Sequence, residues 1–269
     1  MSLVLLGILN ITEDSFSDGG RYLAPEAALA RARFLAGDGA DIIDLGAASS
    51  NPDSKAVPAE TEIARMAPVV AALTAASIPV SVDTFSPEVQ RWALGEGVDY
   101  LNDVQGFRSP ELYEALAAAH SRLIVMHAVQ EGACAERIKV DPAEIVDRVL
   151  GFFDRRIAAL ESAGIARDRL ILDPGMGFFL GTVTEASFAV LRALPALKQA
   201  FSLPLLISVS RKSFLRKLTG RGGPLEAGAA TLAAELFAAE RGADYIRTHD
   251  PGALKDGLIV RQALEGPAR

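Results

Sequence analysis

The chain has 269 residues, 50% of them hydrophobic, 23% charged and 6% aromatic, the make-up of a globular protein large enough to form a core without disulfide or metal staples. Twenty-seven Lys and Arg against 34 Asp and Glu leave a formal charge of −7, which argues against a nucleic-acid binder, whose footprint is a basic excess. No run of about 18 apolar residues offers a membrane span, and a single cysteine (Cys134) with no basic stretch leading into an apolar leader is expected of a cytoplasmic protein.

In chain order, short apolar runs alternate with Ala-rich segments of helical period. Strands are predicted at 4–9, 41–45, 79–83, 100–104, 123–127, 170–173, 205–209 and 245–248, with helices in the gaps. Pro25, Pro58, Pro87, Pro110 and Pro142 fall near helix openings, where a missing N–H costs least. Three phrases repeat, Gly39-Ala40-Asp41, Gly97-Val98-Asp99 and Gly242-Ala243-Asp244, each leading into an apolar strand. Each Gly fits a left-handed helix C-cap, and the repetition reads as recurring βα units. Eight such units, with strands apolar on both faces, predict an α/β protein: one closed (β/α)8 barrel domain over residues 1–269. An open doubly wound sheet is the alternative, but no G-x-G-x-x-G follows a strand to support it.

Barrels of this type carry their active sites at the C-terminal ends of the strands. There the sequence places Asn10, Asp44, Asp83, Asn102 with Asp103, His127, Asp173, Ser208 or Ser210 with Lys212, and Arg247 with His249. Asp83, Asn102 and Asp173 end strongly apolar runs, where an unpaired carboxylate costs several kcal/mol, so cationic partners or ligands are required. Two Asp, one Asn and one Lys suit a flat, nitrogen-rich heterocycle with an amidine-like edge. A divalent metal is the other use of such carboxylates, although no cluster such as H-E-x-x-H accompanies them. Arg247, His249, Lys212 and Ser213, around the seventh and eighth strands, fit an anion site; a satisfied buried histidine is the structural alternative for His249. The Ser/Asp/Gly-rich loop after Asn10 reads as a lid, with Asn10 at its base placed to help hold a hydrated Mg²⁺ on phosphate. The second loop, Gly46 to Val57, has the same character.

These motifs resemble the dihydropteroate synthases. The resemblance is carried by Gly7-Ile8-Leu9-Asn10-Ile11-Thr12 with Asp14-Ser15-Phe16-Ser17-Asp18-Gly19-Gly20, by Asp41-Ile42-Ile43-Asp44, Ser81-Val82-Asp83-Thr84 and Asn102-Asp103, and by Met126-His127, Asp173-Pro174-Gly175, Ser210-Arg211-Lys212-Ser213 and Arg247-Thr248-His249-Asp250. The resemblance implies transfer of a pterin-methyl group from its pyrophosphate ester to p-aminobenzoate, with Mg²⁺ and without a protein nucleophile, in a cytoplasmic homodimer. It implies that Asp83, Asn102, Asp173 and Lys212 hold the pterin between Val104 and Met126, and that Asn10, Ser50, Asn51, Arg247 and His249 face pyrophosphate. Asn10 is the implied metal ligand. Ser50, Phe178, Phe179, Lys212 and Ser213 would face p-aminobenzoate, and Asp83, Asp173, Lys212, Arg247 and His249 would carry the catalysis.

Two departures stand out. Family members have a second loop close to G-G-E-S-T-R-P-G, whereas this chain reads Gly46-Ala47-Ala48-Ser49-Ser50-Asn51-Pro52-Asp53 and so lacks the Arg. The usual F-G-F-G-K after Asp-Pro-Gly is replaced by Met176-Gly177-Phe178-Phe179-Leu180-Gly181, which resembles the sulfonamide-insensitive branch. A Phe beside the benzoate site would meet the extra substituent of a sulfonamide and spare the smaller substrate. Two rival readings are a corrinoid-linked methyltransferase that shares a pterin pocket and a noncatalytic pterin-binding paralogue.

Overall fold

A computed structural model describes residues 3–12, 24–49, 56–130, 132 and 134–266. Its eight strands are β1 (Val4–Asn10), β2 (Ile42–Gly46), β3 (Val80–Asp83), β4 (Tyr100–Asp103), β5 (Arg122–Met126), β6 (Leu170–Asp173), β7 (Leu206–Ile207) and β8 (Tyr245–Thr248). All pair in parallel, in the order β6-β5-β4-β3-β2-β1-β8-β7. A parallel bridge between Leu172 and Leu205, with Leu172 N donating to Pro204 O at 2.9 Å, brings β6 and β7 together and closes the barrel. The helices are α1 (Pro25–Gly37), α2 (Ala59–Ala75), α3 (Pro87–Gly95), α4 (Tyr113–Ala118), α5 (Ile145–Ser162), α6 (Thr184–Arg192), α7 (Leu194–Phe201), α8 (Ser213–Thr219), α9 (Gly228–Glu240) and α10 (Pro251–Glu265). None is long and apolar enough to cross a membrane.

The expected eight strands are all present. The seventh is shorter than 205–209, because the chain turns after Ile207: Val209 O accepts from Lys212 N at 3.1 Å, and this turn leads into α8. The repeated Gly-x-Asp phrase has a physical reason that its sequence does not announce. Gly39, Gly97 and Gly242 adopt φ of +111°, +71° and +95°, as a left-handed cap requires. The Asp two residues on then accepts from a backbone N–H at the base of a neighbouring strand: Leu5 N to Asp41 at 2.8 Å, Val80 N to Asp99 at 2.9 Å and Leu205 N to Asp244 at 2.8 Å. One phrase thus ends a helix and satisfies a donor that the strand ladder leaves over.

The core has two parts. The outer strand faces pack against the helices, while Leu6, Ile42, Ile124, Ile171, Leu206 and Tyr245 fill the barrel interior near its N-terminal end. Arg122 Nη1 donates to Tyr245 Oη at 2.5 Å beside Tyr100, adding to this floor. With the floor filled, the opposite mouth is where polar side chains can gather.

Candidate active site

Strand register assembles the mouth. Asn10 lies opposite Gly46, Gly46 opposite Asp83, and Asp83 opposite Asn102, so one row crosses β1, β2, β3 and β4. Gly46 sits between Asn10 and Asp83: a Cβ there would make ordinary contact, 3.5 Å from Asn10 Oδ1 and 3.8 Å from Asp83 Cβ. Met126 and Asp173 form a second pair across β5 and β6.

Arg247, two residues before His249 at the end of β8, ties two strands to its own. Its Nε pairs with Asp44, and its Nη2 with Asp83 at 2.5 Å. Burial works against the Arg247 charge, but Asp44 and Asp83 outweigh it and hold the guanidinium protonated beyond its ordinary range. Burial likewise pushes the Asp83 carboxyl up to about 7, with Arg247 pulling it down and Asp44 pushing it further up. Asp173 rises to about 6 through burial, although Gly175 N donates to its Oδ1 at 2.8 Å and Lys212 favours its charge. Lys212 falls to about 8, because burial and the nearby Arg247 outweigh Asp173 and Asp83. The site therefore holds charged groups whose burial is only partly offset, the state expected where a ligand completes the pairing. Asp44 Oδ1 and Asn102 Oδ1 are buried acceptors with no hydrogen-bond partner among the described residues, and they leave capacity for that ligand.

Beside these groups lies an apolar wall of Val104, Met126, Ala128, Ala135 and Phe179, with Phe85 and Phe178 packed against it. Lys212 Nζ sits 5.2 Å from the Phe179 ring centroid, and Lys217 Nζ 5.9 Å from that of Phe178. Phe178, Ser213, Phe214 and Lys217 border a small cleft. At the β8 end His249 Nδ1 is 2.9 Å from Ser210 Oγ. Burial first, then the charges of Arg211, Arg247, Lys212 and Arg31, hold the His249 imidazole well below its ordinary value, and so neutral.

The structure thus brings together Asp83, Asn102, Asp173, Lys212 and Arg247, with Val104, Met126 and Phe179 as the wall, and sets His249, Ser213, Phe178 and Asn10 on the same rim. Ser50 and Asn51, and most of the loop after Asn10, lie outside the described residues. Two strand-end groups expected at the mouth do otherwise. Asp103 folds back onto its own loop, accepting from Gln105 N and Phe107 N at 2.8 Å each. His127 is bonded through Nδ1 to Pro174 O at 3.0 Å, and burial lowers it to about 4.

Two contributors go beyond the sequence reading, which places Asp44 at the mouth without a specific role and does not include Glu62. Asp44 carries the Arg247 pair, and its signal was a carboxylate inside the apolar run Ile42-Ile43-Asp44-Leu45. Buried Glu62 on α2 accepts from Thr84 Oγ1 at 3.1 Å, and Gln90 Nε2 donates to Thr84 O at 2.8 Å, so α2 and α3 brace the end of β3 next to Asp83. That bracing has no local sequence signal. Among the described residues no group of three or more His, Cys, Asp or Glu is placed to hold a metal.

Comparison with known proteins agrees with this geometry. The family model for pterin binding enzymes matches residues 6–249. A dihydropteroate synthase type-2 of Escherichia coli is 59% identical over 268 residues, covering 100% of this chain and 98% of that protein. The solved structure of Xanthomonas albilineans dihydropteroate synthase with 4-aminobenzoic acid superposes with a TM-score of 0.89 at 40% identity, covering 99% of this chain and 94% of the other. The same enzyme in complex with 7,8-dihydropteroate superposes at 0.86 with 40% identity, covering 99% and 95% of the two chains.

Proposed function

We propose, on the premise that this chain belongs to the dihydropteroate synthases among the pterin-binding enzymes, that it joins 6-hydroxymethyl-7,8-dihydropterin pyrophosphate to p-aminobenzoate, yielding 7,8-dihydropteroate and pyrophosphate. The observation that carries this reading is the joining of two chemistries at one mouth. Asp83, Asn102, Asp173 and Lys212 supply acceptors and a donor for a pterin edge, and Arg247, His249 and Lys212 supply an anion pole beside them.

The reaction breaks the bond between the pterin methylene and a pyrophosphate oxygen and forms a bond from that carbon to the aromatic amine, which loses a proton. Nothing in it requires a protein nucleophile. Asp83 and Asp173 accept N–H bonds from the pterin, and their negative charge favours the cationic methylene that develops as pyrophosphate leaves. Arg247 and the His249 ring spread the leaving-group charge. Lys212, 5.2 Å above the Phe179 ring, sits between the pterin wall and the Ser213 side, where the p-aminobenzoate carboxylate is taken to lie.

Mg²⁺ belongs to the same proposal. It prefers hard oxygen donors, keeps several waters and binds chiefly through substrate phosphates, so a site with the single amide oxygen of Asn10 fits it, whereas an all-protein cage is not needed. When bound, it would neutralise part of the pyrophosphate charge.

Low sulfonamide sensitivity is also proposed, from Phe178 and Phe179 flanking Lys212 and Ser213. So are a cytoplasmic location and a homodimer, the latter checked by sedimentation equilibrium.

The deciding experiment measures pyrophosphate release by the purified protein with Mg²⁺, with and without p-aminobenzoate, then with a sulfonamide. Release that requires p-aminobenzoate and survives the drug supports both parts. Release abolished at low drug concentration keeps the synthase and removes the insensitivity; no release from folded protein leaves the noncatalytic or methyltransferase reading. For the drug effect itself, Phe179→Gly is expected to lower the inhibition constant about tenfold or more with the KM for p-aminobenzoate changed far less. Unchanged inhibition would count against the role of the ring.

A further inference from the structure

We infer that Ser210 is a positioning residue that holds His249 in the tautomer with its proton on Nε2, so that the ring presents an uncharged N–H donor to the departing pyrophosphate; the catalytic part of this inference rests on the function proposed above. Ser210 is buried, and its Oγ meets His249 twice, 3.2 Å from the backbone N and 2.9 Å from Nδ1. The backbone N–H can only donate, so it occupies one lone pair of the hydroxyl. No other partner of this hydroxyl exists among the described residues. Were Nδ1 also to donate, the hydroxyl proton would be left without an acceptor among the described residues in a buried place, an unfavourable state. The satisfied arrangement runs one way, from backbone N–H to Oγ and from Oγ–H to Nδ1, which leaves the ring proton on Nε2.

The rest of the residue is held as firmly. Arg31 Nη2 donates to His249 O at 3.0 Å, so both backbone groups of His249 are clamped, one from the loop after β7 and one from α1. The surrounding charges of Arg211, Arg247, Lys212 and Arg31 gather an anion and at the same time keep the imidazole neutral. In such a place a neutral ring assists a leaving phosphate only as a hydrogen-bond donor, and only one tautomer donates in that direction.

The chain contains three histidines, few enough for each imidazole to be resolved by ¹⁵N–¹H NMR, and His249→Gln assigns the third. In the ligand-free wild-type protein at neutral pH the expected spectrum for His249 is that of the Nε2–H tautomer. Ser210→Ala is expected to give a mixture or the Nδ1–H form, with kcat reduced about tenfold or more and the KM for p-aminobenzoate little changed. A wild-type Nδ1–H tautomer, or an unaltered tautomer in Ser210→Ala, would overturn the inference. An altered tautomer with full kcat would overturn its catalytic part. Should Ser210→Ala not fold, the wild-type spectrum alone still decides the tautomer. Failure of the proposed function itself would show separately, as wild-type protein that releases no pyrophosphate.

Discussion

At the scale of single residues the site is a set of charges poised near neutrality. In the proposed reaction Asp173 and Asp83, raised by burial to about 6 and about 7, would lose their protons to accept from a pterin, and Lys212, lowered to about 8, would keep its own. The pH profile of kcat/KM is therefore expected to be a bell, with an acid limb between about 6 and 7 and an alkaline limb near 8, and steady-state assays from pH 5 to 9.5 read it directly. A flat profile from 5.5 to 7.5 would mean that the carboxylates ionise elsewhere. The two carboxylates, Asp83 and Asp173, set a stability trend of definite sign. Their folded-state values lie above those of the unfolded chain, so the folded form holds protons the unfolded form releases. Their contribution favours folding most below about pH 4 and declines as pH rises through 6 and 7. Asp173→Asn keeps the oxygen that accepts from Gly175 N and removes one of these titrations. Its midpoint of thermal unfolding, measured without ligand, is expected to fall less than that of the wild type between pH 5 and 7.5, while kcat/KM drops about a hundredfold or more.

At the scale of elements, two glycines with nearly the same backbone conformation have different duties. Gly97 (φ +71°) ends the repeat after α3, and a Cβ there would meet nothing within 4 Å. Gly175 (φ +74°) follows β6, and a Cβ there would come within 2.4 Å of His127 O. Gly97→Ala is expected to cost about 1 kcal/mol, the strain of a left-handed residue alone. Gly175→Ala is expected to cost about 3 kcal/mol and also to lower activity, because the β5 and β6 loops that carry Met126, Asp173 and Phe179 must part. Urea unfolding of the two variants side by side checks the contrast; equal losses would mean that the loop after β6 yields easily. The left-handed glycines of the repeat were legible in the chain, whereas Gly175 looked only like part of a motif. Its constraint comes from a carbonyl 48 residues earlier, which no local pattern reports.

At the scale of the whole molecule, chemistry and support occupy opposite ends of one barrel. The floor around Tyr245 and Arg122 lies at the N-terminal ends of the strands, opposite the mouth, and Tyr245 is held there by burial and by the Arg122 bond at 2.5 Å. Tyr245→Phe keeps the ring and removes the hydroxyl. It is expected to lower stability by about 1 kcal/mol in denaturant titration and to leave kcat/KM within about twofold. A large loss of activity would show that floor and mouth are coupled through β8, the strand that also bears Arg247.

The order of elements, the eight strands, the left-handed caps and the identity of Asp83, Asn102, Asp173, Lys212 and Arg247 were determined by the sequence alone, because periodicity, glycine conformation and polar residues ending apolar runs are local signals. What those signals leave open is direction. Asp103 and His127 end their strands as Asp83 and Asp173 do, yet they turn to nearby backbone groups that become available only once the loops are folded. The Arg247 bridge to Asp44 and Asp83 joins residues 203 and 164 positions apart, and the Ser210–His249 contact joins loops on two strands. Such pairings were decided by the tertiary structure, because closing the barrel brings the strand ends together and burial then favours pairing among the charges gathered there.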